Sequence, residues 1–275
     1  MHYVGVKSVT EFRGRAGLPG VDMTKPSTAR IYDVLLGGKD NFEVDRAAAQ
    51  VAIEASPDVP RAARENRAFL GRAVRFAIRA GIRQFIDLGT GLPTQGHVHE
   101  VAHALAPDAR VVYIDNDPIV LTHARALLPA AETTAVVQAD VREPESVLSH
   151  PTVRARIDFD LPVAVLMVAV LQFATDTETE KAVSAFREAI VPGSYLIVSH
   201  TTTEGHPEVG EQARQAWNDT ETKIQSRTRA QVQALFDGFD LIEPGVVWVP
   251  QWRPDNPMSA RTGTRWMYAG VGRRR

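Results

Sequence analysis

The period of apolar positions changes near residue 84. Before it, RAARENRAFLGRAVRFAIRA at 61–80 sets Leu70, Val74, Ala77 and Ile78 on one helical stripe and crowds Arg61, Arg64, Arg72, Arg75 and Arg79 onto the other side. That spacing predicts an amphipathic helix. Its arginines read either as a dock for acidic partners or as a solvated face, and the solvated face is the simpler expectation. After residue 84, short apolar runs alternate with helical segments: QFIDLG, then 95–106, RVVYID, 118–128 and TTAVVQAD. Strand and helix in alternation predict a parallel α/β sheet. The run LPVAVLMVAVL at 161–171 falls short of the ~20 residues that cross a bilayer and suits a strand buried on both faces, at the centre of the sheet. A helix at 178–190 and a turn at Pro192 and Gly193 lead to a fifth strand, SYLIVSH at 194–200. Helical patterns near 208–220 and 229–237 follow, and GVVWV at 245–249 with RWMYAGV at 265–271 predict a terminal antiparallel pair.

Residues 1–25 carry no sustained period and read as a loose leader. No repeat or long linker interrupts 26–273, so one domain is expected: a helical cap over 26–83 on a catalytic core over 84–275. The start of the chain lacks the basic segment, apolar stretch and small-residue site of a secretory signal, which gives a cytoplasmic expectation. With 31 basic and 33 acidic side chains and a formal charge of -2, no global field draws in a polyanion, and nucleic acid and membrane are not expected partners. The absence of cysteine excludes disulfides, thiolate metal sites and Cys nucleophiles.

The informative stretch is Asp87-Leu88-Gly89-Thr90-Gly91, between the first strand and a helix, where open parallel sheets bind ligands. Glycines 89 and 91 allow a tight turn and close approach of a ligand. Asp115 ends VVYID and Asp140 ends VVQAD, so successive strands bring carboxylates to one edge. A carboxylate after the second strand suits a ribose diol, and one after the third suits an adenine amino group, so an adenosyl ligand accounts for both. The competing reading makes Asp115, Asp117 and Asp140 helix caps, and Asp117 before Pro118 fits that role. Thr94 stands where a dinucleotide fingerprint asks for its third glycine. An acid two residues before the first glycine resembles instead the acidic-x-Gly-x-Gly pattern of S-adenosylmethionine-dependent methyltransferases.

The span 26–273 more specifically resembles a bacterial family of S-adenosyl methyltransferases once listed as a domain of unknown function. The runs that carry the resemblance are ARIYDVLLGGKDNFEVDR, ENRAFLGRAVRF, FIDLGTGLPTQGHVHEVA, VVYIDNDPIVLTHARALL, and EPGVV with WRP near the end. The resemblance implies a Rossmann-like SAM-dependent methyltransferase fold, mostly parallel with a late antiparallel strand, and S-adenosyl-L-methionine as cofactor. On that basis Asp115 is expected at the ribose, Asp140 and Val141 at adenine, and Asp87, Gly89, Thr90 and Gly91 around the methionine moiety, with Asn116 also expected to bind the cofactor. The acceptor is expected to be a small molecule. A SAM- or adenosine-binding sensor without catalysis is the alternative, and a nicotinamide oxidoreductase a more distant one.

In the cap, Arg30, Tyr32, Asp33, Lys39, Asp40 and Asn41 surround Gly37-Gly38. One reading is a hinged lid with Tyr32 and Asn41 facing the pocket and Lys39 placed for a carboxylate. The other is a helix–turn–helix in which Asp40 or Asn41 caps the helix starting near Phe42. His200, at the end of the fifth strand, and Tyr32 are the candidates for acceptor contact. No Gly-x-Ser-x-Gly elbow accompanies His200, which excludes a serine hydrolase. His99 and His103 have i, i+4 spacing but no clear third ligand, so no metal site is assigned. Trp217, Trp252 and Trp266 are candidates for an acceptor pocket or for core packing.

Overall fold

The structure is a computed structural model describing residues 22–92, 96–127, 132–208, 210 and 223–275. Most of the expected leader, Pro93, Thr94, Trp217 and most of the helix expected at 208–220 lie outside the described residues.

The sheet contains β1 (Gln84–Leu88), β2 (Arg110–Asp115), β3 (Thr134–Gln138), β4 (Ala164–Val168), β5 (Tyr195–Thr201), β6 (Phe239–Leu241), β7 (Val247–Trp248) and β8 (Met267–Arg274). Its order is β3-β2-β1-β4-β5-β8-β6, with β7 also on β8. β1 to β5 run parallel, and β8 is antiparallel to β5, β6 and β7. Strand order reverses between β1 and β4, the switch point at which chains diverge and leave a crevice.

Side chains alternate between two cores, as the pleat requires. Val111 and Tyr113 of β2 join one cluster, and Val112 and Ile114 join the other. The first cluster is covered by α3 (Val59–Arg79) and α4 (Val98–His103). The second is covered by α6 (Pro144–Ser149), α7 (Pro151–Arg156), α8 (Asp176–Ala189) and a short helix at Arg229–Ala234. The strand expected through residue 171 ends at Val168 because Ala169 turns to φ 56°, in the left-handed region, and the chain goes on into a single 3-10 turn.

The cap comprises α1 (Thr28–Leu36) and α2 (Glu43–Ala55), which share a small cluster around Ile31, Leu35, Ala49 and Ala63. Phe69, Leu70, Ala73, Val74 and Ala77 place α3 in the core of the sheet itself, so that core continues across the boundary expected at residue 83. A single carboxylate ties the cap together. Asp45, fully buried, accepts from the backbone N–H of Ser27 (3.0 Å) and of Phe42 (2.8 Å) and from Arg30 Nε (2.8 Å). Phe42 is therefore the N-cap of α2, and neither Asp40 nor Asn41 takes that place.

The arginine face of α3 meets the solvated-face expectation at Arg61, Arg64 and Arg79, which are exposed, and corrects it at Arg72. Arg72 is buried, its Nε donating to the Trp252 carbonyl at 2.9 Å and its Nη2 to the Val249 carbonyl at 2.8 Å. Arg75 meets both oxygens of Asp255, Arg61 donates to the Thr262 carbonyl, and Glu65 accepts from Thr264. The segment that precedes β8 is thus laid along α3, with Trp252 wedged edge-on between Phe69 and Phe76 at 5.4 and 5.8 Å. Periodicity marks a polar stripe but cannot show that distant backbone carbonyls will meet it.

Arg72→Met should lower unfolding free energy by about 2–4 kcal/mol in denaturant titration, because two buried carbonyls lose charged donors. Arg75→Met, at a partly exposed pair, should cost no more than about 1 kcal/mol.

Candidate active site

The strand-end acids and the glycine turn form one side of a cavity of about 780 Å³. Its floor is the carboxyl edge of the sheet, and Tyr32, Leu35, Asn66 and Arg67 of α1 and α3 line it from the cap side. Of the expected site residues, Asp87, Gly89, Thr90, Gly91, Asp115, Asn116, Asp140, Val141 and Tyr32 line this cavity, whereas Lys39, Asn41 and His200 do not.

The turn after β1 has a clear local cause. Gly89 and Gly91 take φ of 70° and 67°, where a side chain is strained, and a Cβ on Gly89 would fall 2.3 Å from Val170 Cγ2. Asp115 accepts from the Gly91 N–H at 2.9 Å through Oδ2 and from the Asp117 N–H at 2.9 Å through Oδ1. One carboxylate thereby shapes both the β1 turn and the end of β2. Each of its oxygens retains acceptor capacity. Burial pushes the Asp115 carboxyl up to about 6. Asp117 accepts from the Ile119 N–H at 2.8 Å, capping α5 (Pro118–Leu127), and also bonds Ser27 of the cap.

Asp140 is differently committed. Its Oδ1 accepts from the Arg142 N–H (2.9 Å) and Nε (2.9 Å), and its Oδ2 from Arg142 Nη2 (2.6 Å) and Asn116 Nδ2 (3.1 Å). The side-chain bond from Arg142 is the main reason its carboxyl falls to about 2. With both oxygens engaged, a further donor reaches Asp140 only as one of these partners lets go.

Asp87 is buried under α3, and burial, with Asp115 nearby, pushes its carboxyl up to about 7 while Arg67 opposes the rise. Arg67 lines the cavity with its guanidinium carbon 6.0 Å from the Tyr32 ring centroid, and its Nε is buried without a hydrogen-bond partner. In the sequence Arg67 reads as one more arginine on a helix. Its available signal is the adjacent Asn66, which accepts from Ser199 Oγ at 2.6 Å and donates to Tyr32 Oη at 3.0 Å. Tyr32 Oη donates onward to the Ala63 carbonyl at 3.1 Å, so its proton is already placed, and burial holds the hydroxyl above its usual range.

His200 corrects an expectation. It is completely buried, its Nδ1 donates to the Thr201 carbonyl at 2.8 Å, and its Nε2 accepts from Arg227 Nη1 at 2.5 Å. Burial, aided by Arg227, pushes the ring down to about 4. Both nitrogens are spent within the fold, because a parallel strand turns alternate side chains away from the crevice. Lys39 is exposed on the outer surface of the cap. Asn41 Nδ2 donates to Asp33 Oδ2 at 2.8 Å, alongside the Asp40 N–H at 3.0 Å. The glycine pair serves that turn: Gly37 closes α1 at φ 82°, and a Cβ on Gly38 would lie 1.9 Å from Asp33 Oδ1. A left-handed backbone angle accounts for Gly37 and close packing for Gly38, and neither requires a hinge. Among the described residues no cluster of His, Asp and Glu could hold a metal ion, and no helix is long and apolar enough to cross a membrane.

A Rossmann-like sheet with a late antiparallel strand, a glycine turn and carboxylates at the ends of β1, β2 and β3 defines a SAM-dependent methyltransferase. The chain belongs to the S-adenosyl methyltransferase family, whose pattern it matches over residues 16–275. A candidate methyltransferase from Thermobifida fusca is 46% identical, with 94% of this chain and 98% of that one covered and a TM-score of 0.89. A DUF574 family protein from Streptomyces avermitilis is 38% identical over 92% of this chain and 99% of its own, with a TM-score of 0.86. The N-methyltransferase NodS from Bradyrhizobium japonicum, in complex with S-adenosyl-L-homocysteine, shares the fold at 13% identity, 89% and 98% coverage and a TM-score of 0.50. No curated protein matches the chain.

The pH dependence of stability follows from Asp87. A folded-state value raised to about 7 means that its contribution is full below the unfolded value and is lost as pH rises through the folded one. Asp87→Asn should therefore gain about 2 to 3 kcal/mol relative to the unsubstituted protein between pH 5 and pH 8, read from denaturant unfolding at each pH.

Proposed function

We propose that this enzyme transfers a methyl group from S-adenosylmethionine to a small-molecule acceptor enclosed between the sheet edge and the cap. The observation that carries the proposal is the cavity of about 780 Å³, which lies within the range of small-molecule sites and is lined by α1 and α3 opposite the sheet edge. The chemistry of its lining fits the cofactor. Asp115 retains acceptor sites for the two ribose hydroxyls, Gly91 has nothing within 4 Å of where a Cβ would stand, and Arg67 offers an unpartnered buried donor. In this reading Val141 and Asp140 meet adenine, Asn116 yielding its bond to Asp140 as the base enters. Asp87 and the turn from Gly89 to Gly91 surround the methionine moiety, where Asp87 faces cationic charge and Arg67 the carboxylate.

When bound, S-adenosylmethionine supplies an electrophilic methyl group on a sulfonium sulfur. The protein's part is to hold the acceptor atom in line and away from water, at a contact of about 3 to 3.5 Å, and positioning of that kind supplies most of the rate. Tyr32 fits as a fixed wall of the pocket: its hydroxyl is held by Asn66 and the Ala63 carbonyl, which leaves it no role as a proton acceptor. The direct test is release of S-adenosylhomocysteine, followed by mass spectrometry, when the enzyme and S-adenosylmethionine meet a small-molecule extract of bacterial cells. Transfer to a compound below about 1 kDa is expected. Tight binding with no transfer across the extract would favour a sensor, and transfer only to protein would refute a small acceptor.

Asp115→Ala should weaken S-adenosylhomocysteine binding by about 1.5 to 3 kcal/mol in calorimetry, the worth of a charge-assisted hydrogen bond. Asp117→Ala should instead lower stability by about 0.5 to 2 kcal/mol, as loss of a helix cap does. Unchanged affinity in both would reduce these acids to structural roles.

A further inference from the structure

The half of the cavity beyond the strand-end acids is built from the ends of β4 and β5, the start of β8 and residues 223–226. Its character differs sharply from the acidic half. Ala169, Phe173, Ile224 and Met267 supply apolar surface, and among the described residues from these segments Lys223, which is exposed, is the one charged side chain. The hydroxyls there are engaged within the protein. Thr201 Oγ1 donates to the Trp266 carbonyl at 3.3 Å, Thr202 Oγ1 accepts from the Glu204 N–H at 3.2 Å, and Ser226 Oγ bonds Thr203 through its N–H at 2.9 Å and its hydroxyl at 3.3 Å.

Two polar atoms of this half are buried with no hydrogen-bond partner: Gln172 Oε1, an acceptor, and Trp266 Nε1, a donor. Both side chains line the cavity. The Trp266 ring is held in place by His206, stacked on it at 4.2 Å with planes 16° apart. Leaving such atoms unpaired is costly, and a ligand carrying one donor and one acceptor removes both costs at once. The one charge among the described residues of this half, Lys223, stands exposed to solvent, so a charged ligand drawn in among the buried groups would be desolvated with little to offset the cost. The indole and phenyl surfaces favour a flat molecule.

We propose that this half recognises a neutral, planar nitrogen heteroaromatic acceptor, its N–H directed to Gln172 Oε1 and its ring-nitrogen lone pair to Trp266 Nε1 or to the methyl group. The proposal rests on the methyltransferase reading above and names its substrate class. A neutral nitrogen suits a pocket half in which His200 has no free nitrogen, since no base must act first. The nitrogen lone pair forms the new N–C bond, the S–C bonding pair returns to sulfur, and the ring proton passes to water afterwards.

The test uses benzimidazole as the neutral probe, with benzoate and benzylamine as anionic and cationic counterparts, titrated by calorimetry into the full chain saturated with S-adenosylhomocysteine. Benzimidazole should bind and the charged probes should not. Trp266→Phe, which keeps a ring and loses the donor, and Gln172→Leu should each weaken benzimidazole by about three- to tenfold. Gln172→Glu, which keeps the shape and adds charge, should shift preference toward benzylamine. Equal or tighter binding of a charged probe, or unchanged benzimidazole affinity in all three variants, would overturn the proposal. S-adenosylhomocysteine affinity is measured first in every protein. If that ligand fails to bind the unsubstituted chain, the cofactor reading falls, and the same probe series on the protein alone still decides whether Gln172 and Trp266 form a neutral pocket.

Discussion

The bond from the Gly91 N–H to the Asp115 carboxylate is the constraint on which the site depends. β1 must leave the sheet at once to open a crevice, and its two glycines reach left-handed backbone angles that no other residue takes without strain. A loop of that shape has exposed N–H groups to satisfy, and one of them turns inward to the acid of the neighbouring strand. The same acid takes the Asp117 N–H and so starts α5 in place. Burying it has a cost, visible as a carboxyl pushed up to about 6. A preformed acceptor in the wall of the cavity is the return on that cost.

Around this bond the charges are sorted by environment. Asp87 and Asp115 are raised by burial, and Asp140 is lowered by Arg142. Three acids that look equivalent along the chain therefore have three different capacities: one close to its neutral form, one half satisfied and open to a ligand, and one closed by its own neighbours. The cap adds a second carboxylate knot at Asp45, and Arg30 spans the two layers, bonded to Asp45 and 4.0 Å from Asp117. Cap and sheet edge are in this way held together by short polar contacts close to the cavity. Beyond it, α3 is clamped from outside by the segment before β8 through Arg72.

Much of this was legible in the chain. The alternation of short apolar runs and helices predicted the five parallel strands and the late antiparallel pairing, because burial on both faces of a parallel sheet leaves a continuous apolar signature. The glycine turn and the strand-end acids were legible as well, since conformational need and side-chain chemistry are properties of single residues. The short β6, the early end of β4 at Ala169 and the helices α6 and α7 were not foreseen. Each is a brief element whose form is set by its neighbours more than by its own period.

What the sequence by itself determined is the class of fold, the edge that carries the glycine turn and the strand-end acids, and the family to which the chain belongs. Tertiary structure alone decided which polar residues remain available there. His200 and Asn41 looked free because a sequence shows a side chain's chemistry and hides its partners, and the fold gave those partners as Arg227 and Asp33. Arg67 and Gln172 looked ordinary for the same reason, Trp266 stood open between pocket and core, and the fold left a buried atom of each unpaired in residues that line the cavity. Hydrogen bonds between residues far apart in the chain consume some groups and spare others, and that selection exists only once the chain has closed on itself.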